Sequence, residues 1–353
     1  MRLYARYIAY LYIKFFFIVF LSLEFFYVGI DLLTNLNKLP QGANTKVLYI
    51  IFTALDAINY TLTISLILAL IIVKFNMIRN NELVSFYALG VDKNSVILPP
   101  FLTALVITLF YIALNQTNFA YAREYQKNVT NLNIFSKPSS SLLLKYQDDY
   151  IYIGRLDPSK KHVSNIKIFS KLDGNISSLK EAKAGFYDGE KWHLKELKEI
   201  SFNKNLELGK DGYEVIKQEQ AATLSDFDPK IIGQFARSVN NYSIKDALKV
   251  IATFDKEGVN VRSIKAVLYN LIFFPLFAPF MVLILYYFLP VTGRFFNLAI
   301  VSFLFVLVAL LLWGVLFLLA RFAFNGVIYP EVGIIAPIVL LGGYGGYLYV
   351  KNI

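Results

Sequence analysis

Carboxylates and ammonium groups inside long apolar runs are the residues with chemistry to offer. Glu24, Asp31 and Lys38 are spaced by seven, which returns to nearly the same face after two helical turns. Asp56 and Arg321 are likewise embedded in or beside apolar runs. A charge in hydrocarbon costs several kcal/mol, so such groups face a polar interior, a partner or the interface. For Asp31 and Lys38, interfacial water is an alternative surrounding; Glu24 lies deeper. The second unusual stretch is IRNNELVSFYALGVDK, residues 78–93, too polar to span a membrane and set between two apolar runs. It reads as one short helix with Asn80 or Asn81 as cap, Glu82 in the first turn, Leu83, Val84 and Tyr87 on one face, and Gly90 as stop. Such a helix either rests on lipid headgroups or docks on a partner.

Catalytic constellations are missing from the same sequence. No G-x-x-x-x-G-K-[ST], G-x-S-x-G or H-E-x-x-H motif occurs. Cysteine is absent and the two histidines, His162 and His193, are far apart, which excludes thiolate chemistry and argues against a metal site. The GGYGG run at 342–346 lies inside an apolar segment without a preceding strand; Gly342 and Gly346 are spaced to let two helices approach closely. The chain reads as a non-enzyme that binds no cofactor.

The elements that position these groups are membrane helices. With 353 residues, 56% of them hydrophobic and 17% charged, and a mean hydropathy of +0.51, the chain is too apolar for a soluble protein of this length. A bilayer core of about 30 Å asks for roughly 20 apolar residues. Six runs qualify, near 13–33, 48–73, 95–115, 267–289, 298–320 and 332–350. The fold class is therefore an α-helical membrane protein with three plus three transmembrane helices and an insert between them. Domain bounds are 1–118 for the first three spans, 119–240 for the insert, and 241–353 for a linker helix and the last three spans.

Arg2, Arg6, Lys14, Lys74, Arg79, Lys93, Arg294 and Lys351 fall on one side of the membrane, against Lys38, Lys46 and Arg321 in the short loops of the other. This bias places both termini and the 78–93 helix in the cytoplasm and the insert outside. The net charge of +10 forms no concentrated basic stripe of the kind nucleic acid requires.

From Ser141 to Lys230 the insert alternates apolar and polar residues and carries Asp-Gly turns at 173–174, 188–189 and 211–212. An antiparallel sandwich, jelly roll or open barrel fits this pattern. Trp192 and Leu194 are predicted to point inward, His193 and Lys195 outward. The following stretch, SIKDALKVIATFDKEG, reads as an amphipathic helix with Ser243 as N-cap and Gly258 as stop.

Taken together, RYI near the start, GIDLLTNLNKLPQG, RNNELVSFYALGVD, AREYQKN, AKAGFYDGEKWHL and VRSIKAVLYNLIFFPLFAPF, in that order over nearly the whole chain, resemble the lipopolysaccharide export permeases LptF and LptG. RYI and the end of the first span look more like LptG than LptF. The resemblance implies an inner-membrane subunit of an ABC exporter, paired with an LptF-like permease and an LptB-like ATPase dimer that uses ATP. It implies a periplasmic jelly-roll-like domain that passes lipopolysaccharide to LptC/LptA-like bridge proteins. It also implies that Glu82, Leu83, Tyr87 and Gly90 form the ATPase-coupling helix, with Leu83 and Tyr87 filling the ATPase groove. Lys38, Arg123 and Arg321, with Glu24 and Asp31 on the first-span stripe, are then the lipopolysaccharide contacts, and Trp192 and Leu194 line the lipid path. At the family's second arginine after the third span this chain has Gln126. The alternatives are the LptF paralogue itself, or a mechanotransmission-type ABC subunit that moves no lipid.

Overall fold

The computed structural model describes residues 3–39, 42–130, 139–146, 149–157, 160–172, 175–202, 212–224, 242–254, 261–294 and 297–352. It divides into a helical unit, residues 1–132, 243–245 and 262–353, and a second unit, residues 133–242 and 246–261. Asp173, Gly174, Asp211 and Gly258 lie outside the described residues.

Six helical segments are long and apolar enough to cross a membrane, and they fall where hydropathy places them. They comprise α1 (Leu3–Asn35), α2 (Ala43–Arg79), α4 (Lys93–Leu114), a broken span of α7 (Arg262–Ile272) and α8 (Phe277–Phe288), α9 (Leu298–Phe324), and α10 (Ala336–Lys351) with its leading π-helical turn Glu331–Ile335. The fourth span breaks at the 3-10 turn Phe274–Leu276, where Pro275 has no N–H to continue the ladder. Between α2 and α4 lies the short α3 (Glu82–Ala88), and α5 (Ala122–Thr130) follows α4. Helix α6 (Ile244–Phe254) begins directly after Ser243, as the capping pattern predicts.

Helix α2 is the axis of the bundle. Leu66, Ile67, Leu70 and Ile71 are buried against Ile8 and Tyr12 of α1 and Phe277 and Met281 of α8. The Tyr12 hydroxyl donates to the Leu66 carbonyl at 2.8 Å, and Thr61 and Ser65 donate to carbonyls one turn back, so these hydroxyls are satisfied without water. Packing, not solvent exclusion, holds such helices together, and small residues set how closely they approach. The expected glycine pair is shifted: Gly342 faces the Phe280 ring and Gly345 faces Leu283, whereas Gly346 has no neighbour within 4 Å. Helices α1 and α9 leave most of their apolar surface outside this chain's own packing.

The second unit contains a six-stranded antiparallel sheet in simple meander order: β1 (Ser139–Tyr146), β2 (Asp149–Asp157), β3 (His162–Leu172), β4 (Asn175–Tyr187), β5 (Trp192–Phe202) and β6 (Tyr213–Thr223). Burial along the strands slips phase by one residue: Ile151 and Ile153 then Leu156, Val163 then Ile166 and Ile168, Ala182 then Gly185, and Trp192 and Leu194 then Leu197. The registers align these slips on one line across the sheet, through Gly154, Asn165, Lys183 and Glu196. Asn165 and Glu196 have left-handed backbone, φ 54° and 52°, and Lys183 and Glu196 form a 2.5 Å ion pair. Left-handed residues bend and re-aim a strand as a bulge does, so this line is a corner that keeps the same face of a bent sheet inside. Close packing continues to its edge: a Cβ on Gly185 would lie 2.7 Å from Leu194 Cδ2 and 3.0 Å from Val163 Cγ2.

Candidate functional site

The ionisable stripe of α1 meets a matching stripe on α2. Tyr49, Thr53, Asp56 and Tyr60 recur at spacings of four, three and four, so they share one face of α2. Asp31 accepts hydrogen bonds from Tyr49 Oη, from Gln126 Nε2 at 3.4 Å and from Asn35 Nδ2 at 3.4 Å. Gln126, on α5, also donates to Thr53 Oγ1 at 2.8 Å, so its amide joins α1, α2 and α5. Asn59 Nδ2 donates to Asp56 Oδ1 at 3.3 Å, and Tyr111 of α4 donates to Asn59 Oδ1 at 2.5 Å.

Arg123 and Arg321 come together here. Arg123 Nη1 donates to Tyr60 Oη at 3.2 Å, and both guanidinium groups act electrostatically on that phenol. Asp56 is in turn acted on by Arg123 and Lys127. Arg321 also lies over the Phe317 ring, 4.9 Å from its centroid. Lys38 closes the 3-10 turn Leu36–Lys38; its side chain is outside the described part. Glu24 occupies a deeper level: it is buried, one oxygen lies within hydrogen-bond reach of the Thr61 hydroxyl, whose single proton the Ala57 carbonyl also competes for, and the other has no partner among the described residues. Tyr27 and Tyr60, which the sequence reading passed over, stack at 6.0 Å between these levels. Their signal is the helical spacing of Tyr27 from Glu24 and Asp31, three and four residues. Arg123, which interacts with both Tyr60 and Asp56, and Arg321, which acts on the same phenol, offer two guanidinium groups to an anion here. No group of residues able to ligate a metal occurs among those described.

At the other end of α1 and α2, α3 starts without the expected asparagine cap. Asn81 has φ 60° and its side chain caps nothing; Asn80 Nδ2 instead donates to Glu82 Oε1 at 3.1 Å. The other Glu82 oxygen accepts from Tyr7 Oη of α1 at 3.0 Å. Leu83 is fully buried in the chain's own core, so it anchors α3 and presents no surface in this conformation. The outward side is Val84 and Leu89, 42% and 79% exposed. Gly90 ends the helix as predicted: at φ 79°, its N–H bonds the Tyr87 carbonyl and the Val91 N–H bonds that of Phe86, a Schellman closure. Tyr87 is half-buried, and its hydroxyl shares a 2.7 Å hydrogen bond with that of Tyr286; burial pushes its pKa up.

In the β unit, Trp192 and Leu194 are fully buried among Ile151, Ile153, Val163 and Ile166, while Lys195 is exposed. His193 is on the opposite face, stacked on Phe186 at 5.0 Å. A separate apolar hollow of about 190 Å³ is lined by Phe169, Ile176, Leu179 and Phe202.

The family model "Lipopolysaccharide export system permease LptF/LptG" matches residues 6–351. No curated protein matches the chain.

Proposed function

Since the chain belongs to the lipopolysaccharide export permease family LptF/LptG, we propose that it is the LptG-side membrane subunit of an ABC exporter that extracts lipopolysaccharide from the inner membrane. The observation that carries the reading is the match over nearly the whole chain, together with two different polar ends on α1 and α2: an arginine cluster at one end and the Glu82 helix at the other. Positive charge near the chain's short loops supports a cytoplasmic α3 and a periplasmic β unit. ATP-driven movement of a separate ATPase dimer would act on α3. A paralogous permease would cover the apolar faces of α1 and α9, and lipid A phosphates would meet Arg123, Arg321 and Lys38. The apolar interior containing Trp192 and Leu194 would open to take acyl chains and pass them to a bridge protein. The three spans preceding the β unit favour transport over a purely mechanical subunit.

Isolation of the tagged chain from its native membrane in mild detergent tests this assignment. Co-purification of a homologous permease, an ATPase and lipopolysaccharide is expected. A chain that comes out alone, or with an ATPase but without lipopolysaccharide, overturns it.

A further inference from the structure

The sequence counts Lys74 among the loop charges, yet the structure buries it near the α3 end of α2, 3% exposed. Its ammonium donates to the carbonyls of Tyr286 and Leu289, the latter at 2.8 Å, in the last turn of α8, and lies 4.0 Å from the Tyr286 ring centroid. Among the described residues it has no carboxylate partner, and the charge that acts on it is another lysine, Lys93. A buried charge is strongly penalised unless held by oriented dipoles, and the carbonyls ending a helix carry about half a negative charge. Lys74 is thus bound to the end of α8 specifically. Tyr286 passes the connection on through its 2.7 Å hydrogen bond to Tyr87 of α3. Its neighbour Tyr287 donates to Asn94 Oδ1 of α4 at 2.5 Å, and Asn94 donates to the Tyr349 carbonyl of α10 at 3.0 Å. One turn of α8 therefore ties α2, α3, α4 and α10 together.

We propose that Lys74, Tyr286 and Tyr287 make the end of α8 a relay, which carries movement of α3 from the first three spans to the last three. The proposal rests on the reading of α3 as the element moved by an ATPase, and it adds residues that touch neither ATPase nor lipid. The two Lys74 links are buried and the Tyr87, Tyr287 and Asn94 links are partly buried, so breaking a Lys74 link leaves a group unpaired instead of returning it to water. The relay acts by position: α3 cannot shift relative to α8 while Tyr87, Tyr286 and Lys74 remain joined.

The chain has no cysteine, so Leu89→Cys and Phe288→Cys place two spin labels at exposed sites, one beyond α3 and one at the end of α8. The test uses the complete complex in lipid nanodiscs, with and without a trapped nucleotide. The unsubstituted relay should give one narrow label distance that nucleotide does not change. Lys74→Met and Tyr286→Phe should broaden it or make it nucleotide-dependent, and Lys74→Arg should restore it. Lipopolysaccharide released per ATP should fall about tenfold in the two disrupting variants, the effect of about one buried hydrogen bond, while hydrolysis and assembly stay near the unsubstituted level. A distance and a transport yield per ATP that are unchanged in both variants overturn the relay. Absence of an ATPase from the unsubstituted preparation overturns the underlying reading instead, and the nucleotide-free distances still decide whether the residues lock α3 to α8.

Discussion

The phenol of Tyr7, in the first turns of α1, donates a 3.0 Å hydrogen bond to the carboxylate of Glu82 at the start of α3, 75 residues later. Glu82 is therefore held by its own chain, and the bond ties the start of α3 to α1. Reversing that charge removes an acceptor for both Tyr7 and Asn80. Glu82→Lys is expected to weaken co-purification of the ATPase or to uncouple hydrolysis from transport, whereas Tyr7→Phe, which removes only one donor, is expected to lower transport with assembly retained. Normal assembly and transport by Glu82→Lys would remove Glu82 from the docking role.

Arg123 and Arg321 both act on Tyr60, and Lys38 closes the 3-10 turn that follows α1. A charge-assisted hydrogen bond contributes about 1.5–3 kcal/mol, so loss of one cationic contact is expected to weaken lipid binding by roughly ten- to a hundredfold. Lys38→Ala with Arg123→Ala should nearly stop ATP-dependent lipopolysaccharide release while basal hydrolysis and assembly persist. Unchanged release in the double variant would reduce these residues to anchors among headgroups of any lipid.

Much of this arrangement is legible in the sequence, because hydropathy reports spans directly and positive φ demands glycine at Gly90. What escapes it is long-range. The acceptors of Lys74 are 212 and 215 residues away, so local hydropathy counts Lys74 as a loop charge. Asn81 looks like a cap because its residue type suits one, but its left-handed backbone turns the side chain away from the role. Gly345 rather than Gly346 meets α8, since the face a glycine presents depends on the rotation of α10. Tyr27 and Tyr60 are readable in hindsight from spacing alone, but tyrosine is so common in this chain, at 24 residues, that its type carried no signal. The corner carries one glycine, Gly154, but its left-handed residues Asn165 and Glu196 have no sequence mark, for neither is glycine.

Trp192 and Leu194 are closed off in the present state, so a lipid can reach them only if the β unit opens. Photo-crosslinkers at these two positions should capture lipopolysaccharide when ATP is supplied, and much less without it. Labelling no greater than at His193 or Lys195 would contradict an acyl path through this interior.

The turn between β4 and β5 offers a pH test. The Asp188 carboxylate accepts hydrogen bonds from the N–H groups of Lys191 and Glu190 and lies 2.6 Å from His193 Nε2, which hold it well below the usual carboxylate range. A depressed folded-state pKa contributes stability above the unfolded value, near 3.9, and loses it as pH falls through the folded value. Amide exchange at residues 189–193, corrected for intrinsic rates, should thus show constant protection from neutral pH down to about 4 and a loss below it. Asp188→Ala should lower protection above about pH 4; equal protection in the variant there would show that these bonds do not hold the turn.

Release of lipopolysaccharide from nanodiscs holding the whole complex tests the central claim most directly. With the bridge protein supplied in solution, the account predicts transfer that requires ATP, stops with a hydrolysis-deficient ATPase, and falls with Lys38→Ala plus Arg123→Ala. Transfer at the same rate without ATP, or ATP hydrolysis with no lipopolysaccharide moved, would contradict it.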